Sequence, residues 1–447
     1  MNRDTLNVLL VVLEGARADH CSCNGYERET TPFLDQMARE GVRFPHAFTT
    51  APTSLAAVAS MFTGLFPSLH GATEETRLLG PGPRVVAEVL KARGYRTAAF
   101  CPDPAIGPQN GFGRGFDRFF TQHGGGRITG RAADYARRAS DRVLGRGDAG
   151  ARRTTHALLD WVGQGHEPFF AFVQYREALR PLRPPAPYDR TFMPAGLTAA
   201  NTRAANLPVE GPPRPVSAEE AAALAALHDG ALRYADLRLK EIADALAANR
   251  AWDRTLCIVT AGYGENLGET GTIGALPALS DAALRVPLIL RCPGRIPSGF
   301  VVEAFAQPVD LLPTIAALTG ASLDPPVQGR ALLDAAGASA GPAAIHAEAF
   351  RPMASTPTTA PNVRRKVVRT RREKLIWQSD EDNALYDVAS DPGEHRNLAA
   401  AQPERADRLR RSLFDWLADA ERWAAANALG QPEVGKPVAL EQQGARE

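Results

Sequence analysis

Cysteine is scarce in this sequence. Five cysteines occur among 447 residues, and only Cys21 and Cys23 lie close together in the chain. No two cysteines have Cys-x-x-Cys spacing, so the sequence argues against both a disulfide framework and a cysteine-based zinc site.

Long apolar runs and an excess of charge of one sign are also missing. The longest clean apolar run, Val8–Leu13, is far shorter than the roughly 18 residues that a membrane-spanning helix requires, and no small-residue cleavage site follows it. The 51 basic and 50 acidic residues give a formal net charge of +1, which argues against attraction of the whole chain to nucleic acid or to an anionic membrane. We therefore expect a cytoplasmic protein that binds neither nucleic acid nor membrane.

Strand and helix patterns alternate along most of the chain. Continuous apolar runs at Asn7–Leu13, Phe169–Val173 and Leu256–Thr260 are typical of strands buried on both faces of a sheet. Helical patterns separate these runs, so the sequence predicts a doubly wound, mostly parallel α/β sheet covered by helices over residues 1–335. A small C-terminal α+β subdomain, with an antiparallel sheet and a helix, is predicted for residues 345–430, and residues 431–447 are predicted to form a disordered tail.

A series of short segments resembles, in order, the motifs of the sulfatase family in the alkaline phosphatase superfamily. The segments span almost the whole chain: Asn7–Glu14, Arg17–His20, Asn24–Tyr26, Thr31–Asp35, Gly41–Phe44, Thr63–Pro67, His70–Gly71, Leu284–Ile289, Val309–Ile315, Leu385–Asp387, Asp391–Glu394 and Asn397–Leu398. The resemblance implies hydrolysis of sulfate or related monoesters at a metal site above the carboxyl ends of the strands. Such a site needs hard oxygen ligands for a calcium-like or magnesium-like ion and a nucleophile whose pKa the ion lowers.

Several positions to which the resemblance assigns catalysis hold altered residues. Glu14 replaces the metal-binding aspartate at the end of the first strand, and it is the one candidate metal ligand that remains. Ser54 occupies the nucleophile position, where the family oxidises a cysteine or serine to formylglycine within the pattern C/S-x-P-x-R. This chain has Ala56 and Val58 in place of the proline and the arginine. We therefore expect Ser54 to stay unmodified and, unless it is a nucleophile, to act as the N-cap of the following helix.

The second metal-binding segment and the leaving-group segment are altered as well. Gly262 and Tyr263 stand where the family has an aspartate followed by histidine or asparagine; glycine offers no ligand atom, and a phenol is a poor ligand for a hard ion. Leu179 stands at the position of a catalytic histidine and cannot donate a proton. Arg180 is the nearest candidate to replace the lost cation. His20 is expected to be a buried structural histidine.

Three interpretations remain open. The first, which we favour, is a non-catalytic binding or scaffolding member of the family that has no cofactor and binds an unknown small molecule or protein partner. The second is an active ester hydrolase or transferase with a rebuilt site around unmodified Ser54, Glu14, Tyr263 and Arg180; if it is active, the resemblance implies calcium or magnesium. The third is a nucleic-acid protein, suggested by the basic segment Arg364–Lys374, for which a solvated sheet edge is the better explanation.

Overall fold

The computed structural model describes residues 5–121, 147–165, 167–202, 206–207, 214–269, 271–273, 279–334, 337–338, 341–351, 363–379 and 382–427. The predicted disordered tail, residues 431–447, lies outside these ranges.

An eight-stranded sheet forms the centre of the protein, with the strand order β8-β2-β7-β6-β1-β5-β3-β4. In chain order its strands are β1 (Asn7–Leu13), β2 (Val42–Arg43), β3 (Arg96–Phe100), β4 (Arg118–Phe120), β5 (Phe169–Tyr175), β6 (Thr255–Thr260), β7 (Leu288–Arg291) and β8 (Phe300–Val301). β7 runs antiparallel to both of its neighbours, and the other pairings are parallel. This confirms the predicted mostly parallel sheet.

The first strand lies inside the sheet, as its unbroken apolar sequence predicts. Every residue of β1 is buried, and the strand pairs in parallel with β5 on one side and β6 on the other. The register places Leu13 opposite Tyr175 and Val12 opposite Thr260. Because parallel strands end at the same edge of a sheet, the loops after β1, β5 and β6 begin side by side.

Helices pack on both faces of the sheet. They are α1 (Pro32–Glu40), α2 (Ser54–Thr63), α3 (Pro67–His70), α4 (Val86–Lys91), α5 (Ala151–Val162), α6 (Ala218–Ala248), α7 (Asp281–Leu284), α8 (Leu311–Thr319) and α9 (Pro403–Ala426). The long helix α6 begins with a capping box, in which Ser217 accepts a hydrogen bond from the Glu220 backbone and the Glu220 side chain accepts one from the Ser217 backbone. Among the described residues, no helix is both long and apolar enough to span a membrane.

A smaller antiparallel sheet follows near the C-terminus, as predicted. Its strands, in spatial and chain order, are β9 (Ala344–Arg351), β10 (Val363–Thr370), β11 (Glu373–Gln378) and β12 (Ala384–Asp387), and α9 packs against it. Two short two-stranded pairings, Arg214–Pro215 with Thr272–Ile273 and Leu333–Asp334 with Gly337–Ala338, complete the described strands. The domain boundaries at residues 335 and 345 stay a prediction.

The basic segment Arg364–Lys374 is not a solvated sheet edge, and that interpretation is wrong. Most of the segment belongs to β10, which lies between β9 and β11. Its Lys366 forms a buried ion pair with Glu348, and the fully buried Lys374 contacts Asp281 and Glu394 at 3.1 and 2.8 Å. These cations are neutralised inside the protein because a buried charge needs a partner.

Phe172 of β5 packs against the helix that carries Ser54. Its ring makes an edge-to-face contact with Phe62 of α2, with 4.9 Å between the centroids, and both side chains are fully buried. We expect Phe172→Ala to lower the free energy of unfolding by about 3–5 kcal/mol, because it leaves a cavity under α2. Urea unfolding measures the loss. The change Leu78→Ala, at a side chain that is 45% exposed, should cost less than about 0.5 kcal/mol; equal losses would contradict the packing argument.

Candidate functional site

Glu14 lies at the carboxyl end of β1 and is completely buried. Its backbone N–H donates to the Tyr175 carbonyl at 2.8 Å, which continues the pairing with β5. The Gln174 side chain donates from Nε2 to Glu14 Oε1 at 2.9 Å, and Cys101 Sγ in turn donates to Gln174 Oε1 at 2.9 Å. The amide of Gln174 is therefore fixed with its N–H₂ toward the carboxyl group. The other oxygen, Glu14 Oε2, makes no hydrogen bond with the described residues.

The carboxyl group of Glu14 occupies the space beside Gly262. A Cβ atom added to Gly262 would lie 2.5 Å from Glu14 Oε2 and 2.6 Å from Oε1. A Cβ atom does not approach a non-bonded carboxyl oxygen this closely, so a side chain at position 262 would require the Glu14 carboxyl to leave its present position. The Glu14 carboxyl thus takes up the space that a side chain at position 262 would need.

Burial raises the pKa of the Glu14 carboxyl to about 7. The negative charge of Asp103 adds to this rise, whereas Gln174, the nearby Ser54 hydroxyl and Arg176 favour the ionised form and limit it. The carboxyl therefore changes its charge near neutral pH. Burial also raises the pKa of the Tyr263 phenol, and the charges of Glu265 and Glu14 act in the same direction, so Tyr263 is a neutral hydrogen-bonding group.

Ser54 is the first residue of α2 and is partly buried near Glu14. It is not the N-cap, contrary to the sequence-based expectation: Thr53 occupies that position, and the Thr53 hydroxyl donates to the Glu74 carboxylate. Val58 lies one helical turn further on and is fully buried in the main apolar core. The helix therefore brings a hydroxyl, and no cation, to the site.

Leu179 and Arg180 lie in the loop after β5, and both are anchored in the protein. Leu179 is 8% exposed and packs beside Gly15. Arg180 is held by Glu265. Its Nε donates to Glu265 Oε1 at 2.9 Å, and its backbone N–H donates to Glu265 Oε2 at 3.1 Å. The charge of Arg180 is thus balanced by a carboxylate from the loop after β6.

The residues present do not fit the calcium or magnesium ion that the resemblance implies. Gly262 provides no side-chain atom, Tyr263 provides a phenol whose pKa is raised, and the Glu14 carboxyl fills the adjoining space. In the part of the chain that the structure describes, one group of three His, Cys, Asp or Glu side chains is close enough to share an ion, and it does not include Glu14.

Sequence reasoning missed the residues that surround Glu14. Gln174, Cys101 and Asp103 lie at the carboxyl ends of β5 and β3 or directly after them, and their polar type at the end of an apolar strand was the available signal. Asp103 lies 3.8 Å from Arg176, measured between Oδ2 and Nε. His20 is buried and bonded through Nδ1 to Asp229 Oδ1 at 2.7 Å, as expected of a structural histidine.

Because the pKa of Glu14 is about 7 in the folded protein, against an ordinary value of about 4.3 in unfolded chains, its ionisation opposes folding. The contribution of this one group to the free energy of unfolding should be greatest below about pH 4.3. That contribution falls by up to about 3 kcal/mol as the pH rises through 7. We expect Glu14→Gln to reduce the fall in unfolding free energy between pH 5.5 and 8.5, as measured by urea unfolding. The exposed change Glu219→Gln should leave that fall unaltered. A Glu14→Gln protein with the unaltered pH dependence would show that Glu14 is already ionised at pH 5.5.

Comparisons with known proteins identify the family and agree with this fold. The sequence profile of the sulfatase family matches residues 6–321, and the profile described as N-sulphoglucosamine sulphohydrolase, C-terminal, matches residues 278–421. The multifunctional alkaline phosphatase superfamily protein PehA of Trinickia caryophylli is 26% identical over 392 residues, which cover 73% of this chain and 76% of that protein. The uncharacterized sulfatase YidJ of Escherichia coli K12 is 23% identical over 419 residues, which cover 88% of this chain and 82% of that protein.

Solved structures share the fold. The phosphonate monoester hydrolase of Agrobacterium radiobacter superposes with a TM-score of 0.74 at 22% sequence identity, over 93% of this chain and 96% of that one. A 2-O glycosaminoglycan sulfatase, BT1596, superposes with a TM-score of 0.68 at 16% identity, over 93% of each chain. Since the sulfatase profile matches more than half of the sequence, the chain belongs to the sulfatase family of the alkaline phosphatase superfamily.

Proposed function

We propose that this chain is a non-catalytic member of the sulfatase family, which acts as a binding or scaffolding protein. One observation carries the proposal: the Glu14 carboxyl fills the space of a side chain at position 262. A metal-dependent site in this place would need ligand atoms from both positions around one ion, whereas here one position has no side chain and the other is fully buried.

The charges around Glu14 also support the loss of sulfate chemistry. Arg180 is paired with Glu265, and Arg176 lies beside Asp103, so both cations near the site already have acidic neighbours. A sulfate group about 4 Å from an ionised Glu14 would meet a repulsion of about 4 kcal/mol at an effective dielectric constant near 20, which is nearly a thousandfold in affinity. The site therefore favours neither the binding of a sulfate ester nor the stabilisation of its leaving charge.

The setting of the protein is part of the same proposal. The five cysteines are all free, which suits a reducing compartment such as the cytoplasm. The near balance of basic and acidic residues favours a small-molecule or protein partner over nucleic acid or a membrane surface.

We expect the purified protein to hydrolyse aryl sulfate and aryl phosphate esters no faster than buffer, and to carry an unmodified Ser54. Metal activation, acid catalysis and the modification signal are lost together, and each acid or base step alone typically supplies about 10²–10⁴-fold. A panel of chromogenic esters with added Ca²⁺ or Mg²⁺ measures the activity, and the mass of the peptide that contains Ser54 reports its modification. Metal-dependent turnover, or the mass of formylglycine, would overturn the proposal.

Restoring the family residues provides the matched control. Gly262→Asp alone should destabilise the protein, because its Cβ would lie 2.5 Å from Glu14 Oε2. The combination Glu14→Asp, Gly262→Asp and Tyr263→His removes that overlap and should raise the affinity for Ca²⁺ or Mg²⁺ in calorimetric titration. If Gly262→Asp alone bound the ion as strongly as the triple variant, Glu14 would not be the obstruction.

A second candidate function, metal-free ester hydrolysis, is favoured by the nearness of Ser54 to Glu14. A carboxyl with a pKa of about 7 can act as a general base near neutral pH. In this scheme the Glu14 carboxylate accepts the Ser54 hydroxyl proton while Oγ attacks the ester carbonyl carbon. The alcohol leaves with a proton, and water then releases the acyl group from Oγ.

If this second function operates, ester turnover should rise with pH through about 7, because only the ionised Glu14 accepts a proton. Ser54→Ala should abolish the turnover, and Glu14→Gln should lower it by about 10²–10⁴-fold and remove the pH dependence. Ser390→Ala, at an exposed serine, serves as the control for a nonspecific effect. Turnover that persists in Ser54→Ala would exclude Ser54 as the nucleophile.

A further inference from the structure

A second group of ligand-type side chains lies on the other side of the loop that follows Glu14. His20 comes from the turn after β1, whereas His228 and Asp229 are consecutive residues of α6; His20 and Asp229 are 209 residues apart in the sequence. One ligand atom from each of the three side chains lies within 4.8 Å of the others, and all three residues are buried. This group, called the histidine cluster below, plays no part in the proposed function.

His228 holds an unused nitrogen inside the histidine cluster. Its Nε2 lies 2.9 Å from the Gly15 carbonyl oxygen, and since a carbonyl only accepts, Nε2 carries the proton and Nδ1 has a lone pair. The residue is fully buried, and Nδ1 has no hydrogen-bond partner in the described part of the chain. It lies 3.9 Å from Asp229 Oδ1. A buried ring nitrogen without a partner is uncommon, and a backbone carbonyl that fixes the outer nitrogen is the usual second-shell arrangement of a metal-binding histidine.

Hydrogen bonds from outside the histidine cluster also fix the orientation of the Asp229 carboxylate. Its Oδ2 accepts hydrogen bonds from the Tyr26 hydroxyl at 2.9 Å and from Arg28 Nη1 at 2.8 Å, so this oxygen is occupied by outer partners. Oδ1 points to the two histidines and is bonded to His20 Nδ1 at 2.7 Å. The inner oxygen of Asp229 and one nitrogen of each imidazole therefore lie within 4.8 Å of one another.

We propose that the histidine cluster is a binding site for a divalent transition-metal ion such as Zn²⁺. Two imidazoles and one carboxylate are a common ligand set for zinc, and imidazole nitrogen selects such ions over calcium and magnesium, which prefer all-oxygen sites. On binding, the ion replaces the proton between His20 Nδ1 and Asp229 Oδ1, and this proton passes to the solvent. These two atoms then separate from hydrogen-bond distance to about 3.3 Å, as bonds of about 2.0–2.1 Å to a tetrahedral ion require.

The sequence prediction of no bound calcium, magnesium or zinc covers the whole protein, so a tightly bound Zn²⁺ in the histidine cluster would overturn it. The residues that motivated that prediction, Gly262 and Tyr263, belong to the separate site at Glu14. Gly15 connects the two sites, because its carbonyl accepts from His228. Loss of the hard-oxygen site is therefore compatible with a nitrogen-rich site a few residues away.

The test uses the full-length protein without a histidine tag. Zn²⁺ is titrated in competition with a chromophoric chelator, and Co²⁺ is titrated while its visible d–d absorption is recorded. We expect one tightly bound ion per chain, with the spectrum of a Co²⁺ site that contains nitrogen ligands. Ca²⁺ and Mg²⁺ should not displace it.

Three variants assign the ion to the cluster. His228→Gln keeps a donor for the Gly15 carbonyl and removes the free ring nitrogen, and His20→Gln removes the second imidazole; each should weaken Zn²⁺ binding by more than about 100-fold, the upper range for losing only an outer partner. His156→Gln, at an exposed histidine of α5, should bind as the unaltered chain does. Thermal unfolding in chelator confirms that the variants are folded. Absence of a bound ion in the unaltered protein, or full affinity in folded His228→Gln, would overturn the proposal.

Discussion

The arrangement of the site depends on one volume that two positions cannot both fill. β1 and β6 are adjacent and in register, so the residues just beyond their ends face the same space, and there the Glu14 carboxyl lies where a Cβ of residue 262 would be. With the Glu14 carboxyl in this place, position 262 has no room for a side chain, and its glycine supplies no ligand atom. At these strand ends the Glu14 carboxyl is held by the hydrogen bond from Gln174 Nε2.

Other buried carboxyl groups show what is unusual about Glu14. Burial also raises the pKa of Glu177 and of Asp236 to about 7, but both of their oxygens accept backbone N–H groups. Glu177 accepts from Ala151 and from the Arg176 backbone, and Asp236 accepts from the first residues of α1. Both carboxyl groups therefore have a structural role, because they accept from N–H groups at a helix N-terminus that have no partner within the helix. Glu14 differs, because its Oε2 has no hydrogen-bond partner among the described residues, which is uncommon for a buried carboxyl oxygen.

Much of the fold could be predicted from the sequence, and less of the site. Continuous apolar runs identified the central strands β1, β5 and β6, and the helical patterns between them identified the layers that cover the sheet. The partners of Glu14 could not be predicted, because Cys101 and Gln174 meet it only through the spatial order β1-β5-β3, which periodicity does not determine. The ion pairs of Arg180 and Lys374 escaped for a similar reason: their carboxylates come from distant segments, and a basic residue beside prolines or turns looks exposed in sequence.

Gly15 lies between the site at Glu14 and the histidine cluster, and its backbone holds the end of β1 in place. Its backbone has a φ of 84°, and a Cβ there would lie 2.2 Å from the Ala178 carbonyl oxygen, so glycine is required on both counts. Its N–H donates to the Tyr263 carbonyl, and its own carbonyl accepts from Glu265 N–H and from His228. The backbone of Gly15 thus holds both the loop after β6 and His228 of the histidine cluster. Apart from the His228 contact, these hydrogen bonds join backbone groups, so they do not depend on the side chains at positions 14, 263 and 265.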